Sequence, residues 1–187
     1  VTTADMLERA RPHVRHFNQE AWDVLTKHAS YVQGDFTKAA VYKKVAALLG
    51  ESAPRLFYLA TSSDFFVPIT KYSLKYGLME RQDGDSTAWH RIAYEKPFGR
   101  NSDDARAIEK DIRELLPENQ IYRVDHFLAK KATMAFPVAR MLDEAFNELW
   151  MHGNIESIQV IMNEKNGIHL RGRYYETAGA IKDMMQN

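Results

Sequence analysis

The sequence predicts an α/β fold in which a doubly wound parallel sheet is followed by the start of an α+β part with an antiparallel sheet. Short apolar runs at residues 56–60, 92–95 and 121–124 alternate with stretches whose apolar residues recur every three or four positions. That order matches parallel strands joined by right-handed helical crossovers. Beyond residue 130 the pattern shifts, and two runs at 158–162 and 168–175 flank the short turn Lys165-Asn166-Gly167, as in antiparallel neighbours.

Taken in order, Leu7, Ala10, Val14, Phe17, Ala21 and Leu25 fall on one stripe and predict a single amphipathic helix. Residues 30–36 read as a short strand or a turn around Gly34. Val41, Val45, Leu48 and Leu49 predict a second helix that stops at Gly50. After Pro54 the period changes: Leu56 to Ala60 are continuously apolar, the pattern of a parallel strand buried on both faces. Thr61, Ser62, Ser63 and Asp64 form a polar turn suited to cap a helix striped by Phe66, Ile69, Ser73 and Tyr76 and closed by Gly77. Residues 82–86, with Asp83-Gly84, read as a surface loop before the strand at 92–95. Pro97 then ends the ladder and Gly99 permits a tight turn. Ser102, with Asp103 and Asp104, is placed to cap a helix striped by Ala105, Ile108, Ile112 and Leu115 and ended by Pro117. The third strand runs into Asp125-His126, and Leu128 onward reads as helix. Val138, Met141, Leu142, Ala145, Phe146 and Leu149 stripe a long helix that Pro137 kinks or restarts and that ends at His152-Gly153-Asn154. Ile158, Val160 and Met162 alternate as a strand, and residues 178–187 form a last helix.

Composition narrows the function. The 187 residues are 45% hydrophobic, enough for one sizeable core or for one domain and part of another. Lys+Arg and Asp+Glu are both 25, so nothing global attracts nucleic acid or an anionic membrane, and any anion site is local. The absence of cysteine excludes disulfides and thiolate metal sites and is compatible with the cytoplasm. No apolar run approaches the roughly 20 residues that span a bilayer. No histidine pair has metal-ligand spacing, so no metal is expected.

In an open parallel sheet, ligands bind beyond the carboxyl ends of the strands. Ser62-Ser63, Lys96 and Asp125-His126 all emerge there. If the segment after residue 125 is helical, His126 and Lys130 are four residues apart on one face and form a basic fork for an anion. Asp125 is then placed to orient or charge a neighbouring base; the plain alternative is that Asp125 caps the helix and Lys130 and Lys131 are solvated. Glu164, at a strand end, and Asp183, in the last helix, are not singled out by spacing.

Glu95-Lys96-Pro97-Phe98-Gly99 followed by Tyr122-Arg123-Val124-Asp125-His126-Phe127-Leu128-Ala129-Lys130 resembles the paired signature of glucose-6-phosphate dehydrogenases. Ser30-Tyr31-Val32-Gln33-Gly34, the run at 56–60 and Ile181-Lys182-Asp183-Met184-Met185-Gln186-Asn187 fall in the family's order at about its spacing. The resemblance implies oxidation of the C1 hydroxyl of glucose 6-phosphate, or a similar sugar phosphate, to a lactone. NADP, or else NAD, accepts the hydride. It also implies an incomplete Rossmann-like sheet over residues 1–125, belonging to the cofactor-binding domain, and the beginning of an α+β substrate and dimerisation domain over 126–187. Asp125 becomes the acidic partner of the catalytic histidine, His126 and Lys130 phosphate ligands, Lys96 a contact to sugar and cofactor, and Glu164 and Asp183 acceptors for sugar hydroxyls.

Two departures accompany the match. Phe127 and Ala129 stand where the family usually carries tyrosine and glycine, which removes one hydroxyl contact to phosphate worth on the order of 1 kcal/mol. Thr61-Ser62-Ser63 replaces a proline-containing turn near the nicotinamide. The nine glycines form no dinucleotide fingerprint. The resemblance places that fingerprint upstream and the catalytic histidine beyond Asn187. The chain is therefore expected to be an internal piece, inactive alone, of a homo-oligomeric cytoplasmic enzyme. A non-catalytic sugar-phosphate-binding relative and a dehydrogenase of another hexose 6-phosphate are the alternatives.

Overall fold

In the computed structural model, strands β1 (Arg55–Leu59), β2 (His90–Tyr94) and β3 (Ile121–Arg123) form a parallel sheet in the order β1-β2-β3. Residues 1–187 are described apart from 51–52, 85–87, 127, 152, 160, 162–171, 173–175, 177–178 and 180–187. The described helices are α1 (Thr3–Ala10), α2 (Gln19–His28), α3 (Ala39–Leu48), α4 (Phe66–Lys75), α5 (Ser102–Leu115), α6 (Lys131–Leu142) and α7 (Glu144–Leu149). From α3 to α6, helices and strands alternate as the sequence predicts.

The registers Phe57↔Ile92 and Ile92↔Ile121 put one apolar row across all three strands. Side chains in register on parallel strands share a face, and on this face Ile92 and Ile121 pack with Phe66 and Ile69 of α4 and with Ile108, Ile112 and Leu116 of and after α5. Each such burial stabilises by about 1.5–3 kcal/mol. The opposite face differs from expectation. Leu56 is 59% and Tyr58 53% exposed, because neither side chain joins the hydrophobic core.

Other expectations are corrected. The stripe from Leu7 to Leu25 is not one helix: α1 passes into a 3-10 turn at Arg11–His13, and His16 adopts a φ of 55° before Asn18 caps α2. Pro12 has no N–H for a continuing helix and its ring collides with the preceding turn. Residues 30–36 form no strand among the described residues; Gly34 lies where a Cβ would come within 2.5 Å of the Val41 side chain. No side chain of residues 61–64 caps α4. A 3-10 turn at Ser63–Phe65 leads into it, and the Ser62 hydroxyl engages Asp64 at 3.1 Å.

The cap of α5 is Asn101, not Ser102. Its Oδ1 accepts from the N–H groups of Asp103 and Asp104 at 3.1 and 2.9 Å, because Asn101 is the last extended residue before the helix. The long helix after residue 130 breaks at Asp143, whose side chain accepts from Phe146 N and starts α7, while Pro137 lies within α6. Its stripe is open rather than buried, with Met141 84% and Leu142 82% exposed. α6 and α7 pack on one another through Phe136 and Trp150, whose ring centroids are 4.5 Å apart edge to face. Ile158 is not in a strand, and Gly172 is helical where a strand was expected; of the helix expected over 178–187 only Gly179, with a φ of 64°, is among the described residues. Val160, Met162, Glu164, the Lys165-Asn166-Gly167 turn and Asp183 lie outside the described residues.

Candidate functional site

Because the three strands are parallel, the segments after Leu59, Tyr94 and Arg123 leave one edge of the sheet. The ladder continues one bond further on each side of β2: Glu95 N donates to Leu59 O at 3.3 Å and Val124 N to Tyr94 O at 2.9 Å. Backbone hydrogen bonding therefore fixes the residues that open both signature loops.

The loop carrying Lys96 is pinned against α5. Gly99 has φ +90°, and a Cβ there would stand 2.7 Å from Ala105 N, so only glycine fits without displacing the helix start. Arg100 donates from N and Nε to Asp104 Oδ2, both at 2.9 Å. Those bonds hold the Asp104 carboxyl below its ordinary range. Lys96 itself is half-buried.

Asp125 is half-buried and closes the turn that follows β3. Its Oδ1 accepts from Leu128 N at 3.2 Å and its backbone O from Ala129 N at 3.3 Å. That contact corrects the predicted helical fork. α6 begins at Lys131, His126 lies in the turn, and Lys130 is the extended residue preceding the helix. His126 and Lys130 thus bracket a turn held by Asp125 instead of lining a helix face. Asp125 caps this turn, not α6.

The residue that joins the two loops is Glu95, which the sequence pattern does not single out. Its carboxylate accepts from the Tyr58 hydroxyl of β1 and from Lys96 N, and both oxygens lie 3.2 Å from His126 Nε2. The Glu95 side chain is 16% exposed and that of His126 61%. The available signal was an acid directly after an apolar strand run and directly before Lys96. Ser62 is exposed on the first of the three loops.

Below this edge the scaffold is tied by polar groups. Arg123 bridges Glu109 of α5 and Glu118 of the 3-10 turn Glu118–Gln120 at 2.6 and 2.8 Å. The Tyr94 hydroxyl, 2.8 Å from Thr70 Oγ1, is pushed up to about 12 by burial. A concavity of 510 Å³ lies at the opposite, amino end of the strands. Its cation, Arg55, is already engaged with the carbonyls of Gly50, Gly77 and Leu78, so it works as a structural junction. Among the described residues no group of three or more potential metal-ligating side chains gathers, and no helix is long and apolar enough to cross a membrane.

The family described as "Glucose-6-phosphate dehydrogenase, NAD binding domain" matches residues 1–134, and its C-terminal domain counterpart matches residues 137–187. The glucose-6-phosphate 1-dehydrogenase of Bacillus subtilis is 37% identical over 172 residues, covering 88% of this chain and 34% of that protein. The crystal structure of the Mycobacterium avium enzyme superposes with a TM-score of 0.77 at 34% identity, over 100% of this chain and 40% of the other. A glucose-6-phosphate dehydrogenase in complex with glucose 6-phosphate superposes with a TM-score of 0.78 at 25% identity, with the same coverage. The chain spans about a third of the length of such curated relatives.

Proposed function

The chain belongs to the glucose-6-phosphate dehydrogenase family, and from that premise we propose that its strand-end crevice is part of the site where glucose 6-phosphate is oxidised to 6-phosphogluconolactone. The observation that carries this reading is the 3.2 Å contact between Glu95 and His126. It brings the loop of Lys96 and the turn of Asp125, His126 and Lys130 to one edge, where a parallel sheet binds ligands.

The reaction breaks the C1–H bond, sends the hydride with its electron pair to the acceptor and transfers the hydroxyl proton to a base. When bound, the nicotinamide cofactor, NADP in this reading, supplies the hydride acceptor. The donors available at the edge fit its nicotinamide end: Lys96 is half-buried on one loop and Ser62 exposed on the neighbouring one. His126 and Lys130 supply two cationic groups for a phosphate dianion. Asp125 orients a histidine base and stabilises its imidazolium, while Glu164 and Asp183 accept from sugar hydroxyls. A cofactor part up to residue 125, a substrate part from 126, and a homo-oligomeric cytoplasmic enzyme belong to the same proposal.

Steady-state kinetics of the intact protein test it. Lys130→Ala is expected to raise the KM for glucose 6-phosphate about tenfold or more and to leave turnover of unphosphorylated glucose nearly unchanged. Asp125→Asn is expected to lower kcat by roughly 100- to 10,000-fold with KM nearly constant. Near-wild-type turnover for Asp125→Asn, or equal losses on both sugars for Lys130→Ala, overturns the assignment. Rates with NADP and NAD decide the cofactor.

A further inference from the structure

We propose that Glu95 is the positioning residue of the phosphate subsite, holding the His126 imidazole by Nε2 so that Nδ1 is the nitrogen presented to the sugar phosphate. The inference rests on the reading that His126 meets the phosphate, and deepens it by naming what sets the ring.

Three strand ends converge on this one carboxylate. The Tyr58 hydroxyl reaches it from β1, Lys96 N from its own loop and His126 Nε2 from the turn after β3. An ionised carboxylate only accepts, so all three contacts require Glu95 to be the acceptor, and the ring nitrogen facing it carries hydrogen. Glu95 is itself fixed: its N–H is in the ladder to Leu59 O, and its side chain is largely enclosed. His126, by contrast, is mostly exposed on a turn, where an unrestrained ring samples several rotamers and either tautomer. A fixed acceptor whose two carboxylate oxygens both lie 3.2 Å from Nε2 removes that freedom in advance of binding.

The geometry has a chemical consequence. For His126 to donate to a phosphate oxygen while Nε2–H remains on Glu95, both ring nitrogens must carry hydrogen, which defines the imidazolium. Binding the phosphate therefore places a cationic ring between two anions, Glu95 behind and the ligand in front. Lys96 and Lys130 add positive charge from the flanking loops, and Asp125 adds negative charge from the turn itself. Without Glu95 the ring is free to turn, and the cation loses the anion that balances it.

The test uses the intact protein with glucose 6-phosphate as the probe and a double-mutant cycle between Glu95 and His126. Glu95→Met, which keeps length but removes the acceptor, is expected to weaken binding about tenfold in the wild-type background. It is expected to change nothing further in the His126→Ala background. Glu95→Gln, which keeps an acceptor oxygen and no charge, falls between the two and guards against a folding defect in Glu95→Met. Side-chain ¹⁵N spectra of His126 supply a readout that a purely structural role does not move: an Nε2–H ring in the free protein, and hydrogen on both nitrogens once the ligand is bound. An equal loss in both backgrounds, tighter binding on removal of Glu95, or a bound ring with one hydrogen overturns the proposal. If His126→Ala leaves sugar-phosphate affinity unchanged, the functional reading fails and this one with it; if only the Glu95 variants are silent, the functional reading stands alone.

Discussion

Tyr94 and Thr70 show how one hydrogen fixes the direction of a bond at the base of the crevice. Thr70 Oγ1 lies 2.7 Å from Phe66 O, a carbonyl that can only accept, so the threonine hydrogen goes there. The Tyr94 hydroxyl, 2.8 Å away, is then the donor to Thr70. Thr70 is 0% and Tyr94 1% exposed, so an unmet group has no water to turn to. Thr70→Val leaves the Tyr94 donor without a partner and is expected to destabilise the protein by about 1–3 kcal/mol. Tyr94→Phe removes the donor and leaves Thr70 bonded to Phe66 O, so its cost is expected to be smaller; denaturant midpoints of the two variants check the order. Such pairings were not legible in the sequence, where Thr70 is simply a polar residue inside a helical stretch. Lys96, Asp125 and His126 were legible as candidates because each closely follows a strand run. Glu95 was not, because an acid at a strand end has no periodicity to betray a partner 31 residues away.

Among the elements, the three strands and helices α3 to α5 were legible because local period agrees with burial on the face that meets the core. Where burial is absent, the pattern misleads. The stripe from Leu7 to Leu25 has helical spacing, yet neither α1 nor α2 buries a residue, so nothing opposes the break that Pro12 and His16 introduce. The α5 cap was misplaced by one residue because Asn101, Ser102 and Asp103 are all good caps, and backbone geometry decides among them. The connection between β2 and α5 gives the sharpest prediction at this scale. Gly99→Ala places a methyl 2.7 Å from Ala105 N at a φ of +90°, and neither backbone yields without moving the first turn of α5. A loss of about 1–3 kcal/mol in stability is expected, with weaker sugar-phosphate binding because the Lys96 loop shifts. Gly50→Ala, where nothing lies within 4 Å, is the control and is expected to leave affinity unchanged. Equal behaviour of the two variants contradicts the packing argument.

For the molecule as a whole, the parallel register is what turns scattered loops into a site, and the same register leaves its last strand short. β3 has only three residues, and its outer end is held to α5 by charge as much as by ladder bonds: Arg123 reaches Glu109 and Glu118, and Arg113 reaches the same two carboxylates. For Glu109, burial pushes its pKa upward, but the bonds from Arg113 and Arg123 prevail and hold it below its ordinary value of 4.5. Glu118 is lowered by the Arg123 bond first. A carboxylate depressed in the fold contributes stability that is present above its unfolded value and disappears as pH falls through the lower, folded one. The network is therefore expected to work fully near neutrality and to fade below about pH 4.5. Because Glu118 is half exposed, screening limits its share. The double variant Glu109→Gln, Glu118→Gln is thus expected to melt roughly 2–4 °C below wild type near pH 7. The two curves should converge once the pH has fallen below the lowered folded-state values, where the wild-type carboxyls are protonated and resemble the amides. Thermal midpoints across that range test the sign: a gap that widens on acidification shows that these carboxylates are not the groups that hold β3 to α5.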